Sequence, residues 1–262
     1  MRIQVVTSSV IKRESLAAQY ISTIQHELSR EGVNFAESKN VDLIHVMGEL
    51  DFSMLQCIKT ANSKLIPILY SPLASMVPWR HSPLQHSLKR RNLTFHAMGR
   101  HEKQYIQQRF QTHKVYLVKN PIITNDEASN DLYRQLLDLY IKVTTAHDQQ
   151  IRSQIKQQVD KFDSTDSPIH KLCSEFLYAQ YLFNRDGLTP TFVQQLTNEM
   201  LTSDYDEDRM GEILQQLKIH PFVASLEQAM LQETSLTEGF IPIPAINDRR
   251  AQKIVEMITQ KY

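Results

Sequence analysis

Three polar side chains stand where short apolar runs of the sequence end. Ser8 follows Ile3-Gln4-Val5-Val6-Thr7, and Ser71 follows Ile66-Pro67-Ile68-Leu69-Tyr70. His45 lies inside Val41-Asp42-Leu43-Ile44-His45-Val46-Met47, a run that Gly48 closes. An imidazole can donate to a hydroxyl or exchange a proton near neutral pH, and the two serines can meet a ligand hydroxyl. Each residue also has a plainer reading. His45 would be a satisfied, partly buried histidine, and serine at a strand end is common turn chemistry. A fourth candidate, Arg80, belongs to a basic cluster with His81, His86, Lys89, Arg90 and Arg91 beside Trp79. That cluster would grip an anionic lipid head or a phosphorylated acceptor, or it is a solvated helix face. The sequence contains no nucleophile elbow, Walker-type loop or metal-binding helix motif, so residue types assign no catalytic residue, metal or cofactor. Cys57 and Cys173 lie far apart in unlike contexts and read as buried thiols in a reducing compartment.

The elements that must position these residues change character along the chain. In the first half, β-branched runs at 3–6, 41–47, 66–70, 93–97 and 115–118 alternate with helical patterns, one of which carries Leu16, Tyr20, Ile24 and Leu28. Strands separated by helices of this length predict a parallel sheet of right-handed βαβ units. Their near-continuous apolar character fits strands covered on both faces. The reading is α/β: a Rossmann-like parallel sheet domain over residues 1–125, with His45 near the carboxyl edge where open sheets bind ligands.

After Val118 no strand is expected. Leu132, Leu136, Leu139, Tyr140 and Val143 recur at helical spacing, and the polar stretch Gln149 to Lys161 reads as a solvated extension of that helix. Further helices open at Ser167-Pro168 and Thr189-Pro190, the second with Thr189 as its cap and Pro190 at its first position. Shorter ones are expected around Arg209 to Leu217, Pro221 to Gln232 and Arg249 to Thr259, with Phe240 to Pro244 as an extended connector. No residue pattern recurs at a fixed period, so a repeat array is not expected.

Composition narrows the function classes. Lys+Arg 29 balances Asp+Glu 29, which removes the usual electrostatic case for a dedicated nucleic-acid or anionic-membrane binder. With 41% hydrophobic and 22% charged residues, the chain is neither disordered nor a coiled coil. No segment approaches the roughly 20 apolar residues of a transmembrane span. The apolar run at the start is too short for a signal peptide. A cytoplasmic location is expected.

Three segments, in order, resemble the N-terminal, acceptor-side domain of glycosyltransferases with the GT-B fold, particularly glycosyltransferase family 4. Val41 to Gly48 is similar to that family's Asp-Ile-Ile-His-x-His-Gly strand. Ile66 to Ala74 with Pro78-Trp79 is similar to its next strand, which commonly ends Ser/Thr-Pro-His-Gly. Phe95-His96-Ala97 through Glu102, then Val115 to Asn120-Pro121-Ile122, resembles the strand, helix and hinge that close the domain. Coverage is roughly the first 125 residues. The resemblance implies an acceptor held by Ser8, His45, Gly48, Ser71 and Arg80. It also implies that the helix from Glu127 onward braces the domain, giving a bracing helix and linker over 126–163 and a helical extension over 164–262.

The sequence departs from the family in ways that bear on chemistry. The loop Thr7-Ser8-Ser9-Val10-Ile11-Lys12-Arg13 lacks the glycines that allow backbone to approach a phosphate. Met47 and Leu73 stand where the family has histidines. The second, donor-binding sheet has no counterpart after residue 126, and Glu238-Gly239-Phe240 echoes a donor motif whose second glutamate position is Ile246. The expectation is a glycosyltransferase-like protein of polysaccharide or glycan biosynthesis, degenerate and non-catalytic on its own. It would bind a glycan precursor or glycan-lipid acceptor, a protein partner or a second copy. The alternatives are an active glycosyltransferase that borrows its donor site from a partner or dimer, and a helical adaptor module acting through residues 165–262.

Overall fold

The computed structural model describes residues 1–36, 40–78, 83–89, 91–119, 129–164 and 167–259. Two compact units divide between His147 and Asp148. Unit one carries β1 (Arg2–Thr7), α1 (Leu16–Arg30), β2 (Asn34–Phe35), β3 (Leu43–Met47), α2 (Phe52–Ser63), β4 (Ile68–Ser71), β5 (Thr94–Ala97), α3 (Arg100–Phe110) and β6 (Val115–Leu117). A 3-10 turn over Pro83–Leu88 precedes β5. All six strands pair in parallel in the order β2-β1-β3-β4-β5-β6. This is the Rossmann-like sheet expected from the alternating runs. The two-residue β2 was not foreseen, being too short to show a period.

Period-two alternation decides which face each strand residue serves. On one face Ile44, Val46, Ile68, Tyr70, Phe95 and Val115 pack with Met54, Leu55 and Ile58 of α2 and Ile106 of α3. On the other, Ile3, Leu43, Met47 and Leu69 pack with Tyr20, Ile24 and Leu28 of α1. Tyr133, Leu136, Leu139, Tyr140 and Val143 of α4 (Ser129–Val159) complete that second layer. Cover on both faces explains why β3 and β4 read as unbroken apolar runs: every residue in them is buried. Local chemistry sets the helix ends. Ser15 and Asp51 accept the Ala18 and Met54 N–H groups at the starts of α1 and α2. Gly32, at φ +84°, turns the chain after α1.

In the second unit, α4 is followed by α5 (Pro168–Asn184), α6 (Pro190–Thr202), α7 (Glu207–Gln216), α8 (His220–Glu233) and α9 (Arg249–Thr259), with a 3-10 turn at Glu238–Phe240. The described residues contain no strand after Leu117. One expectation needs correcting. The polar end of α4 is not a solvated arm, because Ile151, Ile155 and Val159 are buried in the core of the helical unit. They recur every four residues, one stripe on an otherwise polar helix. Ser167 and Thr189 cap α5 and α6 with proline in the first turn, as their sequences predict. No helix among the described residues is long and apolar enough to cross a membrane.

Candidate functional site

The parallel sheet brings His45 of β3, Ser71 of β4 and His96 of β5 onto the face that α4 covers. Met47 pairs with Ser71, placing His45 one pleat below that serine. Tyr70 pairs with Phe95, which sets Ser71 beside His96. Tyr140 reaches the same layer from α4. The four side chains are fully buried and form one chain of hydrogen bonds. Tyr140 Oη lies 2.7 Å from His45 Nδ1, and His45 Nε2 lies 2.6 Å from Ser71 Oγ. Ser71 Oγ lies 2.7 Å from His96 Nδ1, and His96 Nε2 lies 2.9 Å from the Val118 carbonyl oxygen.

The terminal carbonyl orders every proton in this relay. A carbonyl only accepts, so His96 Nε2–H donates to Val118 and a neutral His96 must accept at Nδ1. Ser71 therefore donates to His96 and accepts from His45 Nε2–H. His45 Nδ1 is left as an acceptor, and the Tyr140 hydroxyl donates to it. Burial opposes charge at each histidine. It lowers His45 well below its ordinary pKa, with His96 adding to the effect. Burial also pushes His96 down to about 4, against the pull of its bond to Val118. Desolvation raises the Tyr140 hydroxyl in turn. The relay is thus neutral near pH 7, and its ring nitrogens are committed to the chain's own groups.

Ser8 and Gly48 lie at the same carboxyl edge but in a different constellation. Ser8 is buried and its N–H donates to the Met47 carbonyl at 3.0 Å. Gly48 has φ +110°, and a Cβ there would come within 2.9 Å of Ile11 Cδ1 and 3.0 Å of Ser8 Cβ. Glycine is required because the β1–α1 loop presses onto it. Its carbonyl accepts from the Tyr70 hydroxyl at 3.1 Å. Asp51, the cap of α2, ties the loop down. It accepts the Ser9 N–H at 2.8 Å, the Ser9 hydroxyl at 2.9 Å, the Ser53 hydroxyl at 2.7 Å and the Met54 N–H at 2.9 Å. Desolvation acts to raise this carboxyl, yet those donors hold it well below the usual range. The place where a glycine loop and a helix N-terminus would cradle a phosphate thus holds the protein's own carboxylate.

Glu102 does the same at α3. Buried in the first turn, it accepts the Met98 N–H at 3.0 Å. Desolvation raises its pKa, against hydrogen bonds from the N–H groups of Met98, Ala74 and Met76. Leu73 and Ala74 adopt left-handed backbone, φ 54° and 62°, so this carboxylate organises a strained turn after β4.

Of the residues expected to form a site, His45 and Ser71 are joined directly, Ser8 and Gly48 form the neighbouring turn, and Arg80 lies outside the described residues. Sequence reasoning missed His96, Tyr140 and Asp51. A usable signal existed for one of them: His96, like His45 and Ser71, is a polar interruption of an apolar strand, and buried polar groups find partners. Among the described residues no group of three or more His, Cys, Asp or Glu could hold a metal ion. In the helical unit, a groove of about 490 Å³ is lined by Arg152, Lys156, His170, Lys171 and Glu175. Its basic groups are largely satisfied within the unit: Arg152 pairs with Asp148 and Glu175 and Lys171 with Glu199, while His170 Nε2 lies 2.9 Å from Asp160 Oδ1.

Fold and site together define an α/β protein with a Rossmann-like parallel sheet whose polar carboxyl edge is bonded to itself. Comparison with known proteins found no family model, no curated protein and no solved structure with a significant match to this chain.

Proposed function

We propose that the chain is a glycosyltransferase-like protein of polysaccharide or glycan biosynthesis that binds a glycan precursor or a protein partner and does not transfer sugar by itself. The resemblance of its β3, β4 and β5 segments to an acceptor-side domain motivates the class. One observation carries the non-catalytic half of the reading: both ring nitrogens of His45 are spent on Tyr140 and Ser71 in a fully buried layer. A general base needs a free lone pair within reach of a substrate proton, and His45 has none to offer. The carboxylate of Asp51 at the β1–α1 turn supports the same reading, since it would repel a diphosphate at that place. Two unpaired thiols, half-buried Cys57 and buried Cys173, fit a cytoplasmic location.

The test is a transfer assay on the purified chain with a panel of nucleotide sugars and lipid-linked or soluble glycan acceptors, beside calorimetry with each ligand. The expected result is binding of an acceptor without turnover and no heat from nucleotide sugars at millimolar concentration. Turnover by the chain alone would overturn the proposal. Turnover only with an added partner would convert it to an enzyme that borrows its donor site.

A further inference from the structure

We propose that the amino edge of the sheet, from the end of α2 to the start of β6, binds single-stranded nucleic acid. The balanced charge of the whole chain conceals a division along it: residues 52–125 hold 11 of the 29 Lys and Arg but only one of the 29 Asp and Glu, Glu102. That carboxylate is buried in the first turn of α3, at the opposite, carboxyl edge, where it accepts the Met98 N–H. Much of the excess gathers where β4, β5 and β6 begin. Lys64 follows α2, Lys89 and Arg91 lead into β5, Arg109 lies in the last turn of α3 and Lys114 leads into β6. Hydrogen bonds join these ends into one surface. Asn62 Oδ1 accepts the Asn92 N–H at 2.9 Å, Asn92 Oδ1 accepts from Lys114 Nζ at 3.1 Å, and Arg109 Nη2 donates to His86 Nδ1 at 3.3 Å. The chain from His86 to Asn92 connects the two sets, and α2, α3 and the 3-10 turn all pack on the same face of the sheet.

Among the described residues this edge is short of acceptors. None of Lys64, Lys89, Arg91, Arg109 and Lys114 meets a carboxylate there. The Nε atoms of Arg91 and Arg109 are buried with no acceptor, and the Arg109 fork turns to an imidazole instead. The acids of neighbouring elements are engaged or lie on the other face. Asp42, before β3, accepts the Arg2 N–H at 2.7 Å, and Glu27 pairs with Arg30. Glu27 and Glu31 of the α1 end, and Asp131 and Asp138 of α4, belong to helices that cover the opposite face. Glu37, Lys39, Arg80, His81 and Arg90 lie outside the described residues. Helix dipoles account for Lys64 and Arg109, which stand at helix C-termini. Lys89, Arg91 and Lys114 stand on connections and answer no dipole.

The chemistry of the edge chooses the ligand. A protein interface needs an apolar centre, and the one large apolar side chain exposed here among the described residues is Leu65. Arginine forks held in place match the phosphate oxygens of one chain better than a fluid headgroup layer. The exposed imidazoles of His86 and His113, with the guanidinium planes, offer bases a surface to stack on. The rest of the chain holds 18 Lys and Arg against 28 Asp and Glu, so it repels a phosphate chain and leaves this edge to bind it. The inference is independent of the glycan reading, because it concerns the opposite edge of the sheet.

The experiment is fluorescence anisotropy of a labelled oligouridylate of about 20 nucleotides, titrated with the full chain at low and high salt. Binding at micromolar protein is expected, weakened about tenfold or more when salt rises about fourfold, the signature of about three neutralised phosphates. Lys64→Gln, Lys89→Gln and Lys114→Gln should each weaken it about fivefold and reduce the salt slope by about 0.7. These side chains are exposed, so the variants keep the fold, which circular dichroism verifies. Lys12→Gln, the same charge change on the exposed β1–α1 loop at the carboxyl edge, should leave binding unchanged. Poly-glutamate and phosphatidylglycerol vesicles, at equal charge, should compete about tenfold less well than unlabelled oligonucleotide, having no bases to stack. Absence of binding at about 100 μM protein in low salt overturns the proposal. So does binding that the three edge variants leave unchanged, or that Lys12→Gln weakens as much as they do. Competition by poly-glutamate or by the vesicles as effective as that of the oligonucleotide assigns the edge to an acidic protein or a membrane and overturns it equally.

Discussion

Ser71→Ala and Tyr140→Phe each delete one buried oxygen from the relay, yet the proton order predicts unequal costs. Ser71 Oγ accepts from His45 Nε2–H and donates to His96 Nδ1, at 2.6 and 2.7 Å. Removing it strands a donor and an acceptor in a fully buried layer. Each unsatisfied buried group costs about 1–3 kcal/mol, so Ser71→Ala should destabilise unit one by about 2–6 kcal/mol. Tyr140→Phe strands only the His45 Nδ1 acceptor, for about 1–3 kcal/mol, half the Ser71→Ala cost. The cavity left is a single oxygen in either case, so packing does not separate them. The assay is urea unfolding followed by tryptophan fluorescence, since the one tryptophan, Trp79, falls within the 1–147 span of unit one. Midpoints should shift in that order with unchanged slopes. A Ser71→Ala cost equal to or below that of Tyr140→Phe would refute the relay as drawn.

Three other expectations follow from buried or strained groups. His45 and His96 have lowered pKa values when folded, so their contribution is fully present above the unfolded value of 6.5 and is lost as pH falls. For His96, with a folded pKa of about 4, the loss by pH 5 is about 2 kcal/mol. Urea midpoints of unit one between pH 7.5 and 5 test it, and a flat profile contradicts it. Glu227, in α8, points the other way: fully buried, with neither carboxyl oxygen hydrogen-bonded, it is raised well above 4.5 by desolvation, Glu207 contributing. Stability is therefore lost from the helical unit as pH rises from about 4.5 toward the folded pKa, and Glu227→Gln should stabilise it at pH 7 by about 1 kcal/mol or more. Amide hydrogen exchange within α8 at pH 5 and 7.5 reads this, and slower exchange at the higher pH after intrinsic-rate correction would refute it. Ala74→Gly, relieving the left-handed backbone at φ 62°, should stabilise unit one by about 1 kcal/mol, read as a higher urea midpoint. A decrease would show that Ala74 is not strained.

Sheet and helices were legible because their signals are local: a β-branched run buried on two faces and a helix with one apolar stripe each announce themselves within ten residues. The apolar stripe of Ile151, Ile155 and Val159 was equally present but hidden among glutamines and charges, which suggested a solvated arm. The relay was only half legible. His45 and Ser71 stood out as polar residues in apolar runs, but their joining depends on cross-strand register and on Tyr140, which is 95 residues from His45 along the chain. Tyr140 looked like any core aromatic at helical spacing. Asp51 was invisible for a different reason, since a cap residue becomes an anchor only when the β1–α1 loop folds back onto it.

The claim on which the functional proposal stands is that His45 and His96 are internal, neutral links. Nitrogen NMR of histidine-labelled protein tests it most directly, because imidazole shifts report both tautomer and charge. The account predicts that both rings carry their proton on Nε2 at pH 7 and that neither titrates between pH 7.5 and 5.5. A His45 ring that protonates near pH 6.5, or carries its proton on Nδ1, would contradict it and return a usable base to the carboxyl edge of the sheet.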